Sequence, residues 1–379
     1  MDSGLTHASR IRVLIADDSF VMRQVLYDII QSAPSLEVCG AAQNGVEALE
    51  KIRELQPDVV TLDLEMPLLN GIEVLKRIMD ESPRPIIVVS SYAGQGADLT
   101  LEALSLGAFD CLPKYRAGLS FGPRRFRDEL VAKIEAAAHS TFYKAEGHVG
   151  ALGAVAQKAD GHRSRVVPEI VAIGTSTGGP RALQEILPEL PSDLRVGIIV
   201  VQHMPVGFTA PLAKRLDLIS DINVREAEDG DTIEPGSVYI APAGKHIGVQ
   251  RLSSTRVIIV LSDDFPGVLH KPSVDLMMLS VAATFGRYAC GIILTGMGCD
   301  GLQGMSAIGR AGGTTLGQDQ ATSTVYGMPR ACAERGVLQE IAPLSQIPAE
   351  ILKIVNYSPN RRENNFPGTN RDTLQGTLR

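Results

Sequence analysis

The sequence predicts two α/β domains, each built on a parallel sheet and joined by a linker. Three observations carry that expectation. Apolar runs of strand length alternate with segments of helical spacing from residue 11 to about 130. The alternation fades, then restarts at Ile170 and continues to about Val355. The chain of 379 residues is 44% hydrophobic but only 4% aromatic and has no tryptophan, so its cores must rest on Val, Ile, Leu and Ala. Such residues suit parallel strands buried on both faces.

In the first series, Ile11–Ala16, Leu36–Ala42, Val59–Leu64 and Ile86–Ser90 read as strands, and Asp110–Pro113 as the end of another. Val21–Ile30 and Gly45–Glu54 carry helical spacing. These elements place a first domain at residues 1–130. Residues 131–167 read as linker, because Gly147, Gly150, Gly153 and Gly161 sit among Ala, Lys and His from Thr141 onward. A second domain follows at 168–357. The tail 358–379, rich in Asn, Arg, Gly and Thr, is expected to be disordered.

Net charge is −7, which argues against nucleic acid as the main partner. Five cysteines without a C-x-x-C spacing read as reduced thiols of a cytoplasmic protein. No apolar stretch is long enough to insert in a membrane, and Met1–Arg10 lacks the apolar core of a signal peptide.

Asp17 and Asp18 follow the first strand and Asp63 follows the third, so a parallel sheet brings the three carboxylates to one edge. Clustered carboxylates repel unless a cation lies between them, and oxygen-only ligation suits Mg²⁺. Ser90 and Lys114 end or follow the next two strands, where a hydroxyl and an ammonium could bind phosphoryl oxygens. The constellation, within Asp63-Leu64-Glu65-Met66-Pro67 and Leu69-Asn70-Gly71, resembles the receiver domain of two-component response regulators. The resemblance implies a flavodoxin-like fold and phosphorylation of Asp63 by a histidine kinase. It also implies Mg²⁺ held by Asp17, Asp18, Asp63 and the Glu65 carbonyl, and phosphoryl contacts from Ser90 and Lys114. Receivers usually have proline after that lysine, where this chain has Tyr115. A cis bond there would cost about 2.5–4 kcal/mol, so a trans bond is expected.

The second domain repeats one pattern three times. Glu169–Gly174 leads to Thr175-Ser176-Thr177-Gly178-Gly179, Arg195–Val201 to Gln202-His203-Met204-Pro205, and Gly291–Leu294 to Thr295-Gly296-Met297-Gly298-Cys299-Asp300-Gly301. Gly174–Gly178 fits G-x-S-x-G, in which small residues let the chain turn sharply and expose the serine hydroxyl. The competing reading is a phosphate-binding turn. Of seven histidines, His203 directly follows a strongly apolar strand and is the candidate base. His246 and His270 read as binding residues in loops, and His7, His139, His148 and His162 lie on a polar helix or in end and linker segments. Asp300 is the candidate orienting carboxylate. Asp263, Asp264, Asp275 and Asp319 read as exposed or capping. The chain order Ser, His, Asp differs from the α/β-hydrolase order, which argues against that fold.

These motifs, with Tyr239-Ile240-Ala241-Pro242-Ala243-Gly244-Lys245-His246 and Lys271-Pro272-Ser273-Val274-Asp275, are similar to the catalytic domain of chemotaxis protein-glutamate methylesterases of the CheB family. The resemblance implies a doubly wound, mostly parallel α/β catalytic domain that needs no cofactor of its own. It implies hydrolysis of glutamate γ-methyl esters on chemoreceptors, and deamidation of receptor glutamines, by Ser176, His203 and Asp300. The Met297 N–H and the Thr177 position are implied to stabilise the oxyanion. Cys299 stands where the family often has Asn and is expected to alter the hydrogen bonding of its loop. The alternatives are a phosphorylation-gated serine hydrolase, or an interaction protein, acting on a different partner.

Overall fold

A computed structural model describes residues 10–90, 95–114, 122–140, 166–263, 265, 267–268 and 270–358. The expectations for the linker from residue 141, the tail from 359, Tyr115, Asp264, His7, His148 and His162 fall outside these residues.

The first domain alternates strands and helices in the order β1 (Ile11–Ala16), α1 (Phe20–Ser32), β2 (Leu36–Ala42), α2 (Gly45–Leu55), β3 (Val59–Leu62), α3 (Gly71–Glu81), β4 (Ile86–Ser90), α4 (Gln95–Ser105), β5 (Asp110–Pro113) and α5 (Pro123–His139). The sheet order is β2-β1-β3-β4-β5 and every pairing is parallel. The chain reverses winding direction beside β1, so the crevice for a ligand opens past β1 and β3. Polar caps fix where the helices begin: the side chains of Ser19, Asn44 and Asn70 accept from backbone N–H groups of α1, α2 and α3.

The boundary expected at residue 130 falls inside α5. The helix continues to His139 because Leu130, Ile134 and Ala137, at helical spacing, pack with Phe126 into the core beside β1 and β4.

The second domain contains β6 (Ile170–Thr175), α6 (Gly179–Ile186), β7 (Gly197–Gln202), α7 (Thr209–Ile219), β8 (Asn223–Glu226), β9 (Ser237–Ile240), β10 (His246–Arg251), β11 (Val257–Ser262), α8 (Val274–Phe285), β12 (Ala289–Ile293), α9 (Leu302–Arg310), β13 (Thr314–Gln318), α10 (Met328–Glu334), β14 (Glu340–Ala342) and α11 (Ile347–Ile354). Seven strands form one parallel sheet in the order β14-β13-β12-β6-β7-β9-β8. β6, β7 and β12 are buried along their whole length, as their apolar runs require, and β13 is buried along its length although it carries Thr314, Thr315 and Gln318. β10 and β11 form a separate antiparallel ribbon, which the sequence reading had not separated from the α/β rhythm.

The domains touch. α4 packs on α6 and α7, and Arg215 of α7 donates to the Ser105 hydroxyl at 2.8 Å. Ser140 donates to the Thr324 carbonyl, and Val325 packs against the apolar cluster beneath α5.

Candidate active site

In the first domain the acidic pocket forms where the sheet puts it. Asp17 and Asp63 are 1% and 2% exposed, Asp18 is exposed, and one carboxylate oxygen of each lies within 4.8 Å of the others. Lys114 reaches across from β5, its Nζ 2.7 Å from Asp63 and 3.0 Å from Asp17. Burial lifts the Asp63 carboxyl to about 6; Asp17 adds to the rise and Lys114 opposes it. Burial also raises Asp17. It works against the charge on Lys114, but Asp63 and Asp17 outweigh it and hold the ammonium above its usual range. The donor set is hard oxygen, which fits a small divalent cation.

Ser90 ends β4 beside this pocket, but its hydroxyl lies 2.6 Å from Thr100 Oγ1 of α4, within hydrogen-bonding range. Glu65 donates its N–H to Asp63 Oδ1 at 3.3 Å.

In the second domain, β6 pairs with both β7 and β12, so the winding reverses at β6 and the crevice opens past Thr175. Thr175 and Gln202 are partners at the ends of β6 and β7. Ser176 and His203 are therefore the first residues beyond two adjacent strands about 4.8 Å apart. The His203 N–H donates to the Thr175 carbonyl at 3.1 Å, and the Ser176 N–H to the Thr295 carbonyl at 3.0 Å. The loop after β12 thus lies directly against the serine. A Cβ on Gly296 would come within 2.9 Å of Ser176 Cβ and 2.3 Å of Met328 Sδ, so only glycine fits there.

That loop delivers Asp300 to His203, with Oδ2 2.8 Å from Nε2. The remaining donors to Asp300 come from the start of α8: the N–H of Val274, the N–H of Asp275 and the Ser273 hydroxyl, at 2.8, 2.9 and 3.0 Å. Burial alone would raise this carboxyl. Its hydrogen bond and charge interaction with His203, and those N–H donors, prevail and hold it at about 2. His203 Nδ1 is buried with no hydrogen-bond partner among the described residues.

His270 stacks face to face on His203, ring centroids 4.2 Å apart. Burial, reinforced by His203, lowers His270 to about 4. His246 is buried and sits edge-on to Phe265. The competing aspartates have other work. Asp275 accepts from the Gly304 N–H, Asp319 from Thr322, and Asp263 pairs with Lys271 at the surface. His139 closes the last turn of α5. Cys299 is an exposed free thiol, and Met297 lies in the same loop. The Thr177 hydroxyl is turned out of the crevice and donates to Asp110 of the first domain at 2.6 Å.

Three residues at the site were not picked out in the sequence: Gln202, Ser273 as a ligand of Asp300, and His270 as the neighbour of His203. Ser273 had a signal, since a serine opening an apolar helical run is an N-cap pattern. Gln202 is a polar residue closing an all-apolar strand, a weaker signal of the same kind.

An acidic, lysine-bridged pocket in one α/β domain and a strand-end Ser/His/Asp crevice in the next define a response regulator with an enzymatic output domain. Comparison with known proteins gives the particular family. Residues 171–351 match the CheB methylesterase family, and residues 13–118 the response regulator receiver domain. The chain is 45% identical over 91% of its length to a protein-glutamate methylesterase/protein-glutamine glutaminase of Pyrococcus horikoshii, covering 94% of that protein. It is 41% identical over 91% of its length to one of Geobacter sulfurreducens, covering 98%. A solved CheB methylesterase catalytic domain from Thermotoga maritima is 40% identical and covers 50% of this chain and 100% of its own, at a TM-score of 0.49. The chain belongs to the CheB family of receiver-linked methylesterases.

Proposed function

We propose that this protein hydrolyses glutamate γ-methyl esters on chemoreceptors, and deamidates receptor glutamines, under control of phosphorylation at Asp63. The observation that carries the reading is the His203–Asp300 pair at the carboxyl ends of β7 and β12, one strand to either side of Ser176. His203 Nε2 carries the proton donated to Asp300. This leaves the lone pair on Nδ1, which has no hydrogen-bond partner among the described residues, to take the Ser176 proton as the hydroxyl attacks the ester carbonyl. The oxyanion forms against the backbone N–H groups around Thr177 and Met297, beside the N-terminus of α6. The imidazolium returns its proton to the leaving methanol, and water hydrolyses the acyl-enzyme by the same route reversed.

In the receiver, Asp63 accepts the phosphoryl group from a histidine kinase, with Lys114 and Ser90 as its protein contacts. Asp17, Asp18 and Asp63, with the Glu65 carbonyl, would hold Mg²⁺, which when bound offsets the negative charge gathering there. Contact between the domains supports restraint of the enzyme by the receiver: Asp110 and α4 sit against the loop and helix that follow Ser176.

The test is methanol release from a receptor fragment bearing labelled methyl esters. Wild-type protein should release it, and folded Ser176→Ala protein should not. Comparable release by the variant would remove Ser176 from the mechanism.

A further inference from the structure

We infer that Gln202 is a positioning residue that clamps the nucleophile loop to the base loop. The inference rests on the proposed serine-hydrolase reading. Gln202 closes β7 and is 1% exposed. Its Nε2 donates to two backbone carbonyls at once, those of Ser176 and His203, each at 2.9 Å.

These are the peptides at which the chain leaves the sheet. Up to Thr175 and Gln202 the two strands hold each other in register. One residue later the ladder ends: the Ser176 chain turns toward α6, and the His203 chain turns into a loop. The two hydrogens of one amide replace the missing ladder contacts and set one carbonyl against the other. Amide orientation is fixed by the same geometry, because the opposite rotamer would set its oxygen against two carbonyl oxygens.

The rest of the local structure is fitted around that amide. Gln202 Oε1 is buried without a hydrogen-bond partner among the described residues. A Cβ on Gly179 would lie 1.9 Å from it, so the first residue of α6 must be glycine for the amide to fit. A buried acceptor left unpaired is costly, and its retention is accounted for by the two donors on the same group. Gln202 touches neither Asp300 nor the solvent-facing crevice; it acts on the separation and angle between Ser176 and His203.

The test compares full-length wild type with Gln202→Glu and Gln202→Met. Glutamate keeps the shape but replaces both donors with an acceptor. Methionine keeps the volume without charge, and it carries the test if the glutamate variant does not fold. Folded protein is verified by circular dichroism and thermal midpoint, and rates are expressed per folded molecule. Two readouts are taken: labelling of Ser176 by a fluorophosphonate, which needs only the activated serine, and kcat and KM for methanol release from the receptor fragment.

Loss of the clamp should lower the labelling rate and kcat together, on the order of 100-fold, with KM within about twofold. Labelling and kcat within about threefold of wild type in folded variants would overturn the inference. So would a loss confined to KM. If the wild type labels at Ser176 but releases no methanol, the substrate reading fails while the labelling comparison still decides the role of Gln202.

Discussion

At the scale of single residues, the site is governed by which groups carry charge. Asp300 is held at about 2, below its ordinary value of 3.8. A depressed folded-state value contributes stability that is present above the unfolded value and is lost as pH falls from about 4 through 2. The shift corresponds to about 2 kcal/mol. Asp300→Asn should therefore be less stable than wild type at pH 6, and the gap should narrow on acidification, read from urea midpoints at pH 6 and pH 3.5. His270, lowered to about 4, stays uncharged from pH 5 to 9 although it stacks on His203. His270 should therefore add no proton to the acid limb of kcat/KM over that range, and a slope of two there would show that it does titrate. The positions of Ser176, His203, Asp300 and Asp63 were legible because each follows an apolar strand, and a parallel sheet gathers such positions at one edge. Gln202 was not legible as a site residue, and His270 was legible only as a binding residue in a loop, not as the neighbour of His203. Their roles depend on a second chain segment arriving within hydrogen-bonding or stacking distance, which local pattern does not encode.

At the scale of elements, α8 and α9 cap each other. Asp300, just before α9, accepts N–H groups from the first turn of α8, and Asp275 in that turn accepts the Gly304 N–H in α9. The Asp300 carboxylate is thereby part of a helix cap, and its rigidity comes from two helix termini that need acceptors. Ser273 serves both purposes: its hydroxyl accepts the Leu276 N–H as N-cap of α8 and donates to Asp300 Oδ1. Ser273→Ala should cost about 1 kcal/mol of stability, as for other lost N-caps, and lower the thermal midpoint. It should reduce kcat by no more than about tenfold, because two backbone donors and His203 still hold Asp300. A much larger loss of activity at unchanged stability would mean that Ser273 meets the substrate. Most elements were legible from apolar periodicity, including all five strands of the first sheet, though the third was drawn two residues too long. The first domain reads as ending at residue 130 because the apolar residues of α5 beyond it are diluted by Lys133, Glu135 and four alanines, so burial there is set by the docking surface. The β10–β11 ribbon was missed because short apolar runs do not reveal whether their partner is parallel or antiparallel.

At the scale of the whole molecule, the receiver holds the second domain at Thr177, the residue next to Ser176. Asp110 at the start of β5 accepts the Thr177 hydroxyl and pairs with buried Lys133 of α5. Thr177 cannot face the crevice while that bond stands. On the same side, α4 packs on α6 and α7, and its Thr100 lies against Ser90 at the edge of the acidic pocket. A phosphoryl group on Asp63 would compete for the Ser90 hydroxyl and loosen its tie to α4, biasing the receiver toward a surface that fits the second domain less well. Three comparisons test this restraint. A fragment beginning near Arg165 retains the complete seven-stranded sheet and should demethylate receptors faster than unphosphorylated full-length protein. Acetyl phosphate with Mg²⁺ should accelerate the full-length protein, leave the fragment unchanged and have no effect on Asp63→Asn. Asp110→Asn, which weakens the hold on Thr177 without removing any group of the second domain, should raise the unphosphorylated rate toward that of the fragment. If the folded fragment is no faster than the whole chain while the phosphodonor still activates the latter, the contact at Thr177 is not a restraint, and the receiver acts as a positive activator of the hydrolase.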